Sequence, residues 1–207
     1  MKRLLIAGFG DIARRALPRL ERRFTVGRLA RACGLDLDRP ETLVVDGADA
    51  LLHCAPPPNA GETDTRTANL LAMLEKRRIL PARVVYVSTS GVYGDCAGAL
   101  VDESRLPAPQ SARARRRLDA ERQLSQWCGA RAIPLVVLRA PGIYAAERLP
   151  LERLRAGTPA LRPEDDVYTN HIHADDLAGI VDAMVVDDWT RRAPVCRRYR
   201  QQPHRSL

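Results

Sequence analysis

The sequence predicts an α/β chain, a doubly wound parallel sheet in three layers, on three observations. Short apolar runs alternate with longer amphipathic stretches, as buried parallel strands alternate with crossover helices. The first run, Leu4–Ala7, passes directly into Gly8-Phe9-Gly10-Asp11-Ile12-Ala13, a glycine turn between a strand and a helix. The third is size: 207 residues, 45% of them hydrophobic, suffice for a single buried core.

Each element has its own local reason. Leu4–Ala7 is the first strand and Ile12–Arg22 the helix after it. Ala50–Ala55 is a buried strand stopped by Pro56-Pro57-Pro58, since proline cannot donate to a ladder. Thr65–Lys76 follows as a helix with Ala68, Leu71, Ala72 and Leu74 on its apolar side. Arg83–Ser88 is a strand rich in β-branched residues, Ala112–Cys128 a strongly charged helix, and Pro134–Arg139 a further strand. Asp175–Val186 closes the ordered part as a helix. One stretch departs from the pattern. Only the residues 27–35 separate Val26 from Asp36, and a parallel crossover takes at least about a dozen. Either one strand is missing from the sheet edge, or Phe24–Leu35 is a single irregular connection. Residues 1–186 are read as one domain and 187–207 as a basic, irregular tail.

The net charge of +8 raises the question of nucleic acid. Six arginines lie beyond residue 190, where there is no acid, so the rest of the chain carries about +2. A basic tail attracts phosphates without specificity, and no aromatic platform or recognition motif accompanies it. A specific nucleic-acid function is therefore not expected. The five cysteines form no CxxC and no metal-ligand spacing, so they read as reduced thiols and no metal site is expected. No stretch approaches the ~20 apolar residues of a membrane span. The opening MKRLLIAGFG has an apolar run of roughly five residues, shorter than the 7–15 of a secretory signal. The expectation is a cytoplasmic protein, away from membranes.

The glycine turn carries the first chemistry. Gly8 permits the tight turn, Gly10 lets backbone approach a pyrophosphate, and small Ala13 allows close helix–strand packing. With Asp11 and Ile12 these residues open a helix whose free N–H groups and positive dipole end suit phosphate. An acid about 20 residues on would bond a ribose 2′-hydroxyl; Arg28 and Arg31 stand in that region instead. Arginine can meet a 2′-phosphate, which points to NADP, with NAD possible; the competing reading is two solvated arginines. Asp36, at the end of this region, joins the candidate cofactor residues.

Val87-Ser88-Thr89-Ser90-Gly91-Val92-Tyr93-Gly94 resembles the serine/threonine segment of extended short-chain dehydrogenases/reductases, the NAD-dependent epimerase/dehydratase (nucleotide-sugar epimerase-like) family. Three further segments resemble the same family in the same order. His53-Cys54-Ala55 is similar to the strand end lying against the cofactor, and Leu138-Arg139-Ala140-Pro141-Gly142-Ile143-Tyr144 to the loop beside the nicotinamide. Asn170-His171-Ile172-His173-Ala174-Asp175-Asp176-Leu177-Ala178 resembles the segment before a late helix. The resemblance implies a Rossmann fold. It places Thr89 against the substrate oxygen, and Cys54, Ala55, Pro141 and Gly142 against the cofactor.

The family's YxxxK pair is absent. Counting back from Ala120-Glu121 puts Arg113 at the tyrosine position and Arg117 at the lysine position. An arginine stays protonated at any working pH, so it cannot be that acid or base, although it can hold an anion. Any substitute would come from Tyr93 or His173, whose plainer readings are a packed turn aromatic and a structural loop histidine. Arg113, Arg117, Thr89 and Tyr93 are thus the candidate active-site set.

Two functions follow from the resemblance. One is an oxidoreductase or sugar-nucleotide epimerase-like enzyme with an atypical site; the other is a non-catalytic NAD(P)-binding regulatory or scaffold protein. The ligand expected is a small molecule, anionic or a nucleotide sugar, and a homo-oligomer would cover apolar surface left by the shortened regions. The pattern stops near Val186, short of the family's further substrate-binding portion, and reads as a truncation or a reading-frame change.

Overall fold

A computed structural model describes residues 1–157 and 168–186, with the backbone of 199–200. Five parallel strands make the central sheet: β1 (Lys2–Ala7), β2 (Phe24–Leu29), β3 (Ala50–His53), β4 (Val84–Thr89) and β6 (Leu135–Ala140). Their order is β2-β1-β3-β4-β6. Alternate side chains face opposite layers, as the two-residue period requires. Leu4, Ile6, Leu52, Val85 and Val87 pack under α1 (Asp11–Leu20) and α5 (Ala174–Val186). Leu5, Ala7, Leu51, Val84 and Tyr86 pack under α2 (Thr65–Lys76) and α3 (Ala112–Gly129). The chain is therefore the three-layer, doubly wound Rossmann-type fold that the alternating pattern predicts.

The shortened region resolves as a missing edge strand. Phe24–Leu29 does form β2, paired in parallel with β1 from Lys2↔Phe24 to Ala7↔Leu29. No α-helix separates it from β3. Residues 30–49 cross back through two 3-10 turns, Arg31–Cys33 and Pro40–Thr42, and enter β3 directly beside β1. The order is that of a Rossmann sheet whose outermost strand has been removed.

Helix starts carry local caps where the sequence supplies them. Asp64 accepts hydrogen bonds from Arg66 N and Thr67 N at the head of α2, and Ser111 from Ala114 N at the head of α3. Beyond the main sheet, β5 (Leu100–Val101) pairs with β9 (Tyr199–Arg200), and β7 (Gly142–Tyr144) with β8 (His171–His173). A short helix, α4 (Leu151–Arg155), lies between β7 and β8 in sequence. Apart from residues 199–200, the expected tail lies outside the described residues. No described helix is long and apolar enough to cross a membrane. The four described cysteines, Cys33, Cys54, Cys96 and Cys128, are free thiols.

Candidate functional site

The strand order places a crevice at the carboxyl ends of β1 and β3. The chain leaves β1 toward one side of the sheet and later returns to the other, and this switch point is where open α/β sheets bind ligands. Cys54 N and Ala55 N both donate to Ala7 O, at 2.8 and 3.0 Å, which ties the end of β3 to the end of β1. Gly8 sits between them at φ +87°, and a Cβ there would lie 2.3 Å from Ala55 N and 2.4 Å from its Cα. Both atoms are backbone, so only glycine fits. Gly10 differs: it caps α1 with φ −87°, and nothing lies within 4 Å of where its Cβ would be. The approach to the first turn is open in front of Gly10. Ile12 and Ala13 are buried behind it, and the N–H groups of that turn have no partner within the helix. Asp11 points its carboxylate to Arg15 (2.9 Å) and Arg148 (3.1 Å), so the acid in this turn is neutralised.

The two arginines after the glycine turn differ in their commitments. Arg28 stacks on Phe9, 4.6 Å from the ring centroid, and donates to Glu21 at 3.1 Å. Arg31 is exposed in the 3-10 turn just past β2, and its guanidinium makes no hydrogen bond or ion pair among the described residues. Its charge, with that of Arg66, holds the Asp38 carboxyl below its usual range; the Arg66 hydrogen bond is the larger cause. Asp36 accepts from Asp38 N at 3.0 Å, and its own N–H donates to Thr42 Oγ1 at 2.9 Å, so it shapes the turn.

Thr89 ends β4 opposite Ala140 in register, which brings it beside Pro141 and Gly142 at the carboxyl edge. Its Oγ1 accepts from Gly91 N at 3.2 Å and starts the 3-10 turn that carries Tyr93. Tyr93 is buried beneath Arg139, whose guanidinium lies 4.7 Å from the ring centroid. Arg139 also pairs with buried Glu121 at 2.8 Å, and Glu121 accepts from Ser88 Oγ at 2.5 Å. Gly142 donates to Asn170 O at 2.9 Å; its absent side chain leaves room for His171, 2.8 Å from where a Cβ would stand. His173 is half-buried, with Nδ1 accepting from Asp175 N at 3.3 Å and the Tyr144 ring edge-on at 5.2 Å.

Arg117 turns inward. It is buried, and its Nη1 lies within hydrogen-bond reach of Val87 O (2.9 Å), Tyr86 Oη (3.0 Å) and Ala55 O (3.2 Å). No carboxylate pairs with it among the described residues. Arg113, one turn earlier, is exposed, and its guanidinium makes no hydrogen bond or ion pair among the described residues. Burial and the Arg117 charge together push the His53 imidazole down to about 3, burial being the larger cause. Burial also pushes the Tyr86 phenol up to about 12 and the Cys54 thiol up to about 12. All three stay uncharged at neutral pH. His53 Nε2 meets Thr67 Oγ1 at 2.9 Å, and Thr67 donates to buried Asp64 at 3.0 Å.

Several structural contributors were not picked out from the sequence. Arg116 donates to Gly61 O and Asn59 O, and Arg66 to Pro56 O, so with Arg117 three guanidiniums brace the segment after β3 through its carbonyls. Glu121 and Arg139 lay inside recognised segments, but nothing in their spacing announced that they pair. Among the described residues, no cluster of His, Cys, Asp or Glu could hold a metal ion.

The NAD dependent epimerase/dehydratase family model matches residues 14–188. No curated protein matches the chain. Among solved structures, one from Methylobacillus flagellatus, provisionally described as an NAD-dependent epimerase/dehydratase, is 28% identical with a TM-score of 0.73, covering 93% of this chain and 72% of its own. Two more distant structures share the fold. RMD from Pseudomonas aeruginosa, complexed with NADPH, is 21% identical with a TM-score of 0.70, over 89% of this chain and 74% of its own. UDP-glucuronic acid 4-epimerase from Bacillus cereus, in complex with UDP-glucuronic acid and NAD, is 18% identical with a TM-score of 0.66, over 90% and 74%. With the family model spanning most of the chain, and the glycine turn at the sheet's switch point, this protein belongs to the NAD-dependent epimerase/dehydratase family.

Proposed function

We propose that the chain binds NADP(H) in preference to NAD(H) along the carboxyl edge of the sheet, in a site without Tyr/Lys proton transfer. The observation that carries this reading is Arg117. Its Nη1 is committed to Val87 O, Tyr86 Oη and Ala55 O, and a guanidinium does not exchange protons at working pH. The residues at the crevice fit a dinucleotide. Gly8 permits the close approach of β1 and β3, Gly10 leaves the first turn of α1 open, and that turn's N–H groups suit a pyrophosphate. Arg31, uncommitted and exposed, is the better placed of the two arginines for a 2′-phosphate, since Arg28 already serves Phe9 and Glu21. Cys54 and Ala55 lie against the cofactor beside the glycine turn, and Pro141 and Gly142 border the nicotinamide end.

When bound, the nicotinamide supplies a hydride donor or acceptor. Thr89 Oγ1 orients a substrate oxygen by hydrogen bonding, and exposed Arg113 attracts an anionic substituent such as the diphosphate of a nucleotide sugar. On this reading the protein is an oxidoreductase or epimerase-like enzyme of slight turnover. The same commitment of Arg117 also favours a second reading, a non-catalytic NAD(P)-binding regulator or scaffold. Titration with NADPH, NADH and their oxidised forms, followed by turnover of keto-sugar nucleotides, tests both. Saturable binding with turnover that falls in Thr89→Ala supports the enzyme, and binding with no turnover supports the regulator. Absence of binding to all four cofactors refutes the proposal.

A further inference from the structure

Arg15 and Arg148 join three segments around the glycine turn. Arg15, on α1, pairs with Asp11 in its own helix, with Glu147 in the Ala146–Arg148 turn, and with Asp175 at the start of α5 (2.6 Å). Arg148 reaches back from that turn to Asp11 at 3.1 Å. The turn follows β7, which continues from Pro141 and Gly142 at the far end of the crevice. It therefore returns from the nicotinamide side of the site to the glycine turn. The Arg15–Glu147 pair fastens it there and holds the Arg148 guanidinium against the first turn of α1.

The electrostatics give this contact a purpose. A bare Asp11 carboxylate would repel phosphate from the N–H groups of its own turn. Arg15 is shared among three carboxylates, so it does not neutralise Asp11 alone. Arg148 supplies the second cation, and with 41% of its side chain exposed it is free to exchange one anion for another. From the proposed dinucleotide site, we infer that Arg148 is a pyrophosphate-binding residue: it pairs with Asp11 in the free protein and contacts the pyrophosphate when the dinucleotide binds.

The test is a double-mutant cycle on affinity, read by calorimetry with NADPH, ADP-ribose and adenosine 2′-monophosphate. Arg148→Ala should weaken NADPH and ADP-ribose about ten- to a hundredfold, the range of one charge-assisted phosphate contact. Adenosine 2′-monophosphate, which lacks the pyrophosphate, should bind as before. The pair Asp11→Asn with Arg148→Ala should remain weak for NADPH. Recovery of parental affinity in that pair would overturn the inference, because Arg148 would then only neutralise Asp11. Unchanged NADPH affinity in Arg148→Ala, or an equal loss for adenosine 2′-monophosphate, would overturn it too. A parent chain that binds none of the three ligands would instead sink the dinucleotide reading, and this inference with it.

Discussion

Gly8 and Gly10, two residues apart in one turn, should fail in opposite ways when given a side chain. At Gly8 a Cβ meets Ala55 N and Cα at 2.3 and 2.4 Å, and the φ of +87° is one that L-residues rarely adopt. The left-handed backbone costs about 1–2 kcal/mol. Separating β1 from the end of β3 adds roughly 1–3 kcal/mol of overpacking, for about 2–5 kcal/mol in all. Gly8→Ala should therefore lower unfolding stability by that amount and weaken the dinucleotide as well. Gly10 has φ −87° and open space in front, so Gly10→Val should cost only about 1 kcal/mol, the scale of a changed N-cap. Its branched side chain would stand where phosphate must approach, and NADPH binding should disappear while the fold remains. Urea denaturation gives the first quantity and calorimetry the second. A Gly8→Ala chain as stable as the parent would refute the packing account, and a Gly10→Val chain that binds NADPH normally would refute the position of the site.

Other outcomes follow from single residues. Arg31→Ala should reduce NADPH affinity about ten- to a hundredfold and leave NADH unchanged, with a smaller effect from Arg28→Ala; equal dissociation constants of the parent chain for the two cofactors would show both arginines to be solvated bystanders. Arg117→Met should destabilise the fold by roughly 2–3 kcal/mol by leaving Val87 O and Ala55 O without a donor, whereas Arg117→Lys, with three donors on one nitrogen, should lose less. For His53 the folded pKa is depressed to about 3 from 6.5, so the unfolded chain binds more protons between those values. The stability His53 contributes is complete above about pH 6.5 and is lost as pH falls toward 3, at up to about 1.4 kcal/mol per pH unit. Asp64, pushed up by burial, acts in the opposite sense, so the comparison is with His53→Asn, which should show a flatter decline over pH 4.5–6.5. Parallel profiles for the two chains would remove His53 from the account.

The fold was legible because its strands are buried on both faces and its helices have one apolar side, which leaves a strong alternation in the sequence. Even the defect was visible: too few residues between Val26 and Asp36 required either a lost strand or an irregular link, and residues 30–49 show the lost strand. The charged helix α3 was harder. Arg115, Arg116 and Arg117 follow one another, yet Arg115 is exposed while Arg116 and Arg117 are buried. Hydropathy does not distinguish one arginine from the next. What buries two of them is the set of backbone carbonyls in β4 and in the segment after β3, acceptors that every sequence carries and none advertises. Arg113 and Arg117 share a helix side by spacing, but a turn is 5.4 Å long. Arg117 already reaches the ends of β3 and β4, so Arg113 stands beyond them in solvent. The pairing of Arg148 with Asp11 joins residues 137 positions apart, a separation that local patterns do not report.

Hydrogen exchange of the backbone amides, with and without NADPH, tests the central claim most directly. Asp11, Ile12 and Ala13 lack intrahelical partners for their N–H groups, so these amides are exchange-prone in the free chain and become donors to phosphate in the bound one. The account predicts that NADPH slows exchange at Gly10–Ala13, with lesser protection around Cys54–Ala55 and Pro141–Gly142. Protection confined to other parts of the chain, or none at saturating NADPH, would contradict it.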